Sequence, residues 1–186
     1  MLAPSFPIRT ERLRLRPITP ADGEVLHEME SREDVTRWLY YDPRTPQASA
    51  DAMRLRVTRT HLEREGDALE LGIEHADRGD LIGTVVLMYR SEEHRQGEIG
   101  FVLHPRHHGQ GYAREAAHEM LRLGFEHFEL HRIVGRCEPR NLASAGLLER
   151  LGMRREAHLI ENEWVKGEWQ SELVYAMLDR EWRARA

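Results

Sequence analysis

Six residues in the middle of the chain, Arg106-His107-His108-Gly109-Gln110-Gly111, carry the clearest chemical signal in the sequence. Two glycines so close to a helix start permit positive φ, which lets successive backbone N–H groups point into one concavity with the positive end of the helix dipole behind them. Such a cradle suits an anion, and in particular a diphosphate. On this segment alone, a tight strand-to-helix connection without a ligand is the alternative reading. No Gly-Lys-Ser/Thr follows, so this is not a Walker loop; Arg114 stands where a dinucleotide fingerprint needs glycine. His104, His107 and His108 cluster without a neighbouring Asp or Glu in sequence, which fits histidines flanking an anion loop better than a metal site. The single cysteine, Cys137, excludes an intrachain disulfide and Cys-cluster zinc sites. Lying in an apolar strand, it is a poor nucleophile.

The elements that must position this loop are legible on both sides of it. Ile99, Phe101, Val102 and Leu103 form a β-prone run that Pro105 ends. From Ala113, small or apolar residues recur three or four apart through Phe128, predicting a helix of about four turns with one buried stripe. A strand Arg132 to Glu138 then completes a βαβ unit, whose two strands should run parallel. Upstream, Arg12 to Arg16 alternates as a half-exposed strand, and Thr19-Pro20-Ala21-Asp22 opens a helix to about Glu30. Val35 to Tyr41 is aromatic and either packs over the core or lines a second-substrate pocket. Ala48 to Gly66 reads as a charged helix with Ala52, Leu55, Thr58 or Arg59, and Leu62 inside, its charge run being a solvated face. Strands Ala68 to His75 and Leu81 to Arg90 meet at the hairpin loop Asp77 to Asp80. Asn141 caps a helix that stops at Gly152, and strands Arg154 to Trp164 and Trp169 to Leu178 close the chain.

The bulk numbers bound the rest. At 186 residues one domain, 1–186, is expected, with a mixed α/β sheet of order β-α-α-β-β-β-α-β-α-β-β. A net charge of −5 argues against a nucleic-acid surface. Without a long apolar run or a signal-peptide pattern, a cytoplasmic protein with no membrane partner is expected.

The motif Arg106 to Gly111 after a strand ending in x-Pro resembles the Gln/Arg-x-x-Gly-x-Gly/Ala signature of the GNAT superfamily of N-acetyltransferases. The element order and the later Glu138-Pro-Arg-Asn141-Leu-Ala-Ser144 extend that likeness over nearly the whole chain. Within the superfamily the sequence is most similar to the ribosomal-protein-alanine N-acetyltransferase type. It departs from that type at Met153, where phenylalanine is usual, and at Ser171, where the pattern Trp169 to Tyr175 usually has aspartate.

The resemblance implies an acyltransferase using acetyl-CoA as co-substrate, with no metal, and a sheet whose central strands splay apart. Backbone groups of Phe101, Val102 and Leu103 would pair with the pantetheine arm. Amides of Gly109, Gln110, Gly111, Tyr112, Ala113 and Arg114 would hold the pyrophosphate, with added charge from Arg106, His108 or Arg114. Asn141 would bond the pantetheine as well as cap its helix; a cap alone is the plainer role. An amine acceptor, a protein N-terminus or a small molecule, must lose a proton, for which a carboxylate is suited. Glu163 stands where the ribosomal type carries its assigned base. Glu98, in the apolar setting Gly-Glu-Ile-Gly-Phe, is the second candidate, since burial makes a carboxylate more basic. Either could equally be an ordinary surface glutamate. The tyrosine that many of these enzymes use as acid is replaced by Leu148, leaving Ser144 to orient or pass a proton to the thiolate. Its plainer role is a helix serine bonding a backbone carbonyl. Direct transfer in a ternary complex follows, as no activated nucleophile is apparent. Acylation of a small amine, a longer acyl donor, a non-catalytic acyl-CoA sensor, and a homodimer through the last hairpin stay open at this stage.

Overall fold

The computed structural model describes residues 4–185. Eight strands form one sheet in the order β1-β2-β3-β4-β5-β6-β8-β7. They are β1 (Ile8–Arg9), β2 (Leu13–Pro17), β3 (Ala68–His75), β4 (Leu81–Ser91), β5 (Gln96–Leu103), β6 (Arg132–Cys137), β7 (Arg154–Val165) and β8 (Glu168–Leu178). The helices are α1 (Gly23–Glu30), α2 (Glu33–Thr36), α3 (Pro46–Arg56), α4 (Tyr112–Arg122), α5 (Leu142–Arg150) and α6 (Asp179–Arg183). The expected mixed α/β order holds, with the two-residue β1, the short α2 and the terminal α6 added. Among the described residues no helix is long and apolar enough to cross a membrane.

Alternation places Leu13 and Leu15 of β2, Leu71 and Ile73 of β3, and Val85 and Leu87 of β4 in one core, with none of them exposed to solvent. Ala116, Ala117, Met120 and Leu121 of α4 join the same core, fulfilling the predicted stripe. The stripe continues through Phe125 and Phe128 by way of a π-helical turn, Leu123–His127, rather than a regular α-helix. There Gly124 lets the chain lie against Ile133, whose Cδ1 would be 2.4 Å from an added Cβ.

The βαβ unit of β5, α4 and β6 gives the sheet its one parallel pair, and that pair is short. It runs from Gln96 opposite Arg132 to Ile99 opposite Gly135 and then stops. Beyond it β5 continues to Leu103 bonded to β4, with Phe101 opposite Val85, while β6 continues against β8. The sheet therefore forks after Ile99, as the resemblance implied.

One predicted element needs correction. The charged helix of residues 48–66 ends at Arg56, because the chain from Arg59 turns to bond β3: the Glu70 N–H donates to the Arg59 carbonyl at 2.8 Å, and Thr60 bridges Leu69. Leu55, expected inside, is 54% exposed, whereas Leu62 is buried from an irregular segment. Nor is the charge run wholly solvated. Arg56 turns inward between Glu30 and Glu70, two carboxylates that are 3% and 4% exposed as residues.

Candidate active site

The loop after β5 has the geometry an anion cradle needs. Gly109 and Gly111 have φ of +74° and +84°, and Gly111 is the residue from which α4 starts. Among the described residues, no acceptor is bonded by the amide N–H groups from Gly109 to Arg114, so they are free for an anion. Arg12, read from the sequence only as a strand residue, anchors the loop. It donates to the Gln110 carbonyl at 2.9 Å, pairs with Glu115 at 2.8 Å and lies 4.7 Å over the Tyr112 ring. A Cβ on Gly111 would stand 3.3 Å from its Nη2.

The expected cationic partners divide. Arg114 is exposed without a partner among the described residues, and Arg106 is exposed beside Glu28 at 3.7 Å. His108 instead turns back, its Nε2–H donating to the Leu103 carbonyl at 2.9 Å. One backbone acceptor expected to serve a pantetheine arm is thus occupied. The two other histidines have carboxylates close in space although none is close in sequence. His104, buried, accepts the Arg106 N–H on Nδ1 and so donates from Nε2 to Glu28 at 3.3 Å. His107 lies 4.0 Å from Asp80, and burial lowers its pKa. Among the described residues no group of three or more His, Cys, Asp or Glu is placed to hold a metal.

On the other side of the fork lies a cleft. Trp38, Leu39 and Tyr40 wall it from the segment after α2, and β5, β6, β7 and β8 supply Glu98, Arg136, Glu163 and Glu172. Within the segment 35–41, Val35 and Thr36 are buried while Trp38 to Tyr40 face the cleft. Both predicted glutamates are present. Glu163 accepts a hydrogen bond from the Tyr40 phenol at 2.8 Å. Partial desolvation against the cleft, then Glu163 itself, pushes that phenol's pKa up although the residue is 70% exposed, so it stays a donor. Glu98 corrects its expectation: its surroundings are ionic rather than apolar, with Arg90 at 3.0 Å and Arg136 at 3.5 Å. Neighbouring strands supply both guanidiniums, which a single-strand reading could not see.

Glu172 was missed. Glu172 is 5% exposed and accepts from Arg136 at 2.8 Å; burial raises its carboxyl pKa, Arg136 opposes that, and Glu163 and Glu98 add to it. Alternation from Gln170 could have put it on the cleft face; Tyr40 was read within the aromatic segment 35–41, but nothing local announced its bond to Glu163. Burial pushes the Cys137 thiol up to about 11, with neighbouring carboxylates adding, which accords with an inert cysteine.

Asn141 and Ser144 stand at the start of α5 rather than along this lining. The Asn141 Oδ1 accepts the Ser144 N–H at 3.2 Å, and its Nδ2 has no acceptor among the described residues. The Ser144 hydroxyl likewise has no partner among them, so it does not bond a helix carbonyl. Leu148, 1% exposed, fills core at the position where the resemblance implied a tyrosine.

Fork, cradle and cleft together define an acyltransferase, and the sequence agrees: residues 12–154 match the acetyltransferase (GNAT) domain family, to which this chain belongs. It is an N-acetyltransferase of that family. The chain is 31% identical over 175 residues to the uncharacterized N-acetyltransferase YnaD of Bacillus subtilis (strain 168), covering 94% of this chain and 98% of that one. It is 24% identical over 159 residues to the spermidine N(1)-acetyltransferase of Vibrio cholerae, covering 86% and 88%. Among solved structures, the GNAT-family acetyltransferase from Bacillus anthracis superposes with a TM-score of 0.85 at 30% identity, covering 94% of this chain and 99% of that one.

Proposed function

We propose that residues 1–186 act as one domain that moves an acetyl group from acetyl-CoA to a primary amine by direct transfer in a ternary complex. The fork carries this reading. Past Ile99 and Gly135 one side of β5 lacks a strand partner, and the same strand leads into the loop of free amides. An arm carrying both amide groups and a diphosphate fits that pairing of features. Gly111 supports the fit, since any side chain there would crowd Arg12 and enter the cradle. When bound, acetyl-CoA supplies the activated acyl thioester.

The chain's own residues supply the rest. Glu163 takes the proton from the acceptor ammonium, directly or through a water, and Tyr40 orients its carboxylate. The amide of Asn141 bonds the arm. The Ser144 hydroxyl orients the proton returned to the departing thiolate. As the nitrogen–acyl bond forms the thioester carbon–sulfur bond breaks, giving an N-acetyl amine and the free thiol.

Two acceptor classes are open to this site. Asn141, Ser144 and Glu163 together favour the ribosomal-protein-alanine type and a protein N-terminal amine. The carboxylates and aromatic wall of the cleft favour a small cationic amine, as the name of the Vibrio cholerae relative suggests. Work in the cytoplasm and a homodimer through the final hairpin complete the proposal; Trp164 and Trp169, 61% and 59% exposed, support the pairing. Release of coenzyme thiol, followed with peptides bearing free N-termini and with mono-, di- and polyamines, tests it. Turnover on one class is expected. Tight coenzyme binding without turnover on any amine would favour a sensor instead.

A further inference from the structure

A row of charges crosses the floor of the cleft strand by strand. Arg90 on β4 donates through Nε to Glu98 on β5 at 3.0 Å. Arg136 on β6 reaches the same Glu98 oxygen at 3.5 Å and gives its Nη1 to Glu172 on β8 at 2.8 Å. On β7, beyond β8, the row ends without a cation. Glu163 has no ion pair among the described residues and only the Tyr40 phenol as partner, at 2.8 Å. Arg136 directly follows Gly135, the last β6 residue paired with β5, so its guanidinium stands at the mouth of the fork.

We infer that Arg136 is a positioning residue that selects the base: by binding Glu98 and Glu172 together it occupies those carboxylates and leaves Glu163 to receive the amine proton. The inference rests on the reading of amine acetylation given above. Carboxylates sharing a site oppose one another's ionisation, and a cation between them relieves that repulsion. A planar guanidinium suits this place, because its rigid fork presents donors to two carboxylates from two edges, whereas an ammonium is a point charge with no fixed donor geometry. The remaining titratable groups at the cleft are already quiet. Glu138 is tied to Arg140 at 2.6 Å, the Cys137 thiol is neutral, and Tyr40 is a donor.

The test compares Arg136→Gln and Arg136→Lys in the full chain with two readouts. In the profile of kcat/KM against pH, measured with acetyl-CoA and the best amine acceptor, the glutamine variant should shift the acid limb upward by about one pH unit. On the acid side of that limb the rate should fall by about tenfold, while at neutral pH it should change little. The lysine variant should lie between wild type and glutamine, and its own displacement decides the case if the glutamine variant does not fold. The second readout needs no turnover: in a ¹³C carboxyl NMR titration the Glu172 signal should titrate higher in Arg136→Gln and return toward wild type in Arg136→Lys. A rate loss with an unmoved acid limb, or equal effects of the two variants, would overturn the inference, since a purely structural role gives that pattern. If no amine is acetylated, the reading of the function fails separately, and an unmoved Glu172 titration still overturns the charge row.

Discussion

The Tyr40 phenol donates to the Glu163 carboxylate at 2.8 Å, across 123 positions of sequence. The contact joins the wall of the cleft to its proposed base, so the two residues should fail in different measure. Glu163→Gln keeps the shape of the side chain and a partner for the phenol, but it cannot take a proton. Its kcat should fall by about 10²–10⁴-fold. Tyr40→Phe removes one hydrogen bond to a charged group, and a loss of about tenfold is expected. Coenzyme affinity by titration calorimetry should stay within about twofold of wild type in both, because neither residue belongs to the cradle. Full activity in Glu163→Gln would remove it as the base.

Gly111→Val tests the cradle itself. At φ +84° a β-branched residue carries strain of about 1–3 kcal/mol. Its Cβ would also press on Arg12, 3.3 Å away. Calorimetry with coenzyme A should show affinity lowered by about tenfold or more. Gly109→Ala, at φ +74° with nothing within 4 Å of its Cβ, should lose less. Equal and negligible losses would show that the loop is only a connection.

At the start of α5 two roles of one side chain can be separated. Asn141→Asp retains an oxygen to accept the Ser144 N–H but has no amide to donate; Asn141→Ala loses both. Thermal stability should drop by about 1 kcal/mol in the alanine variant and scarcely in the aspartate variant. Coenzyme affinity should drop in both. If it drops in neither, Asn141 is a cap alone. Ser144→Ala, by contrast, should lower kcat while coenzyme affinity is nearly kept, because the free hydroxyl holds no structure together.

What could be read from the sequence was whatever is written locally. The glycine pair, the alternation of residues 12–16 and the stripe on α4 are short-range patterns, and each lies where its spacing put it. The fork was foreseen only through the family likeness. The sequence was silent where a partner lies far along the chain. Arg12 holds Glu115 from 103 positions away, and Arg59 turns out of helix geometry because β3 offers it a backbone donor. Glu98 misled for the same reason. Its own strand is apolar, while its arginines come from β4 and β6.

Acid should weaken a second charge cluster, far from the chemistry in role. Glu156 on β7 meets Arg132 of β6 and Arg154, and Arg154 also meets Glu181 of α6, so one carboxylate helps tie three elements together. The hydrogen bond from Arg132, foremost, and then the Arg154 contacts hold its pKa down, from 4.5 to about 2. A carboxylate depressed by folding stabilises the native state fully above its unfolded pKa, and loses that contribution as pH falls through the folded one. The window therefore runs from 4.5 down to about 2. The Glu156 side chain is 27% exposed, so solvent screening leaves a contribution of about 1 kcal/mol. Unfolding free energies of wild type and Glu156→Gln from urea titrations should differ by that amount at neutral pH and converge below the window's upper edge. A constant difference at every pH would show that shape rather than charge is what Glu156 contributes.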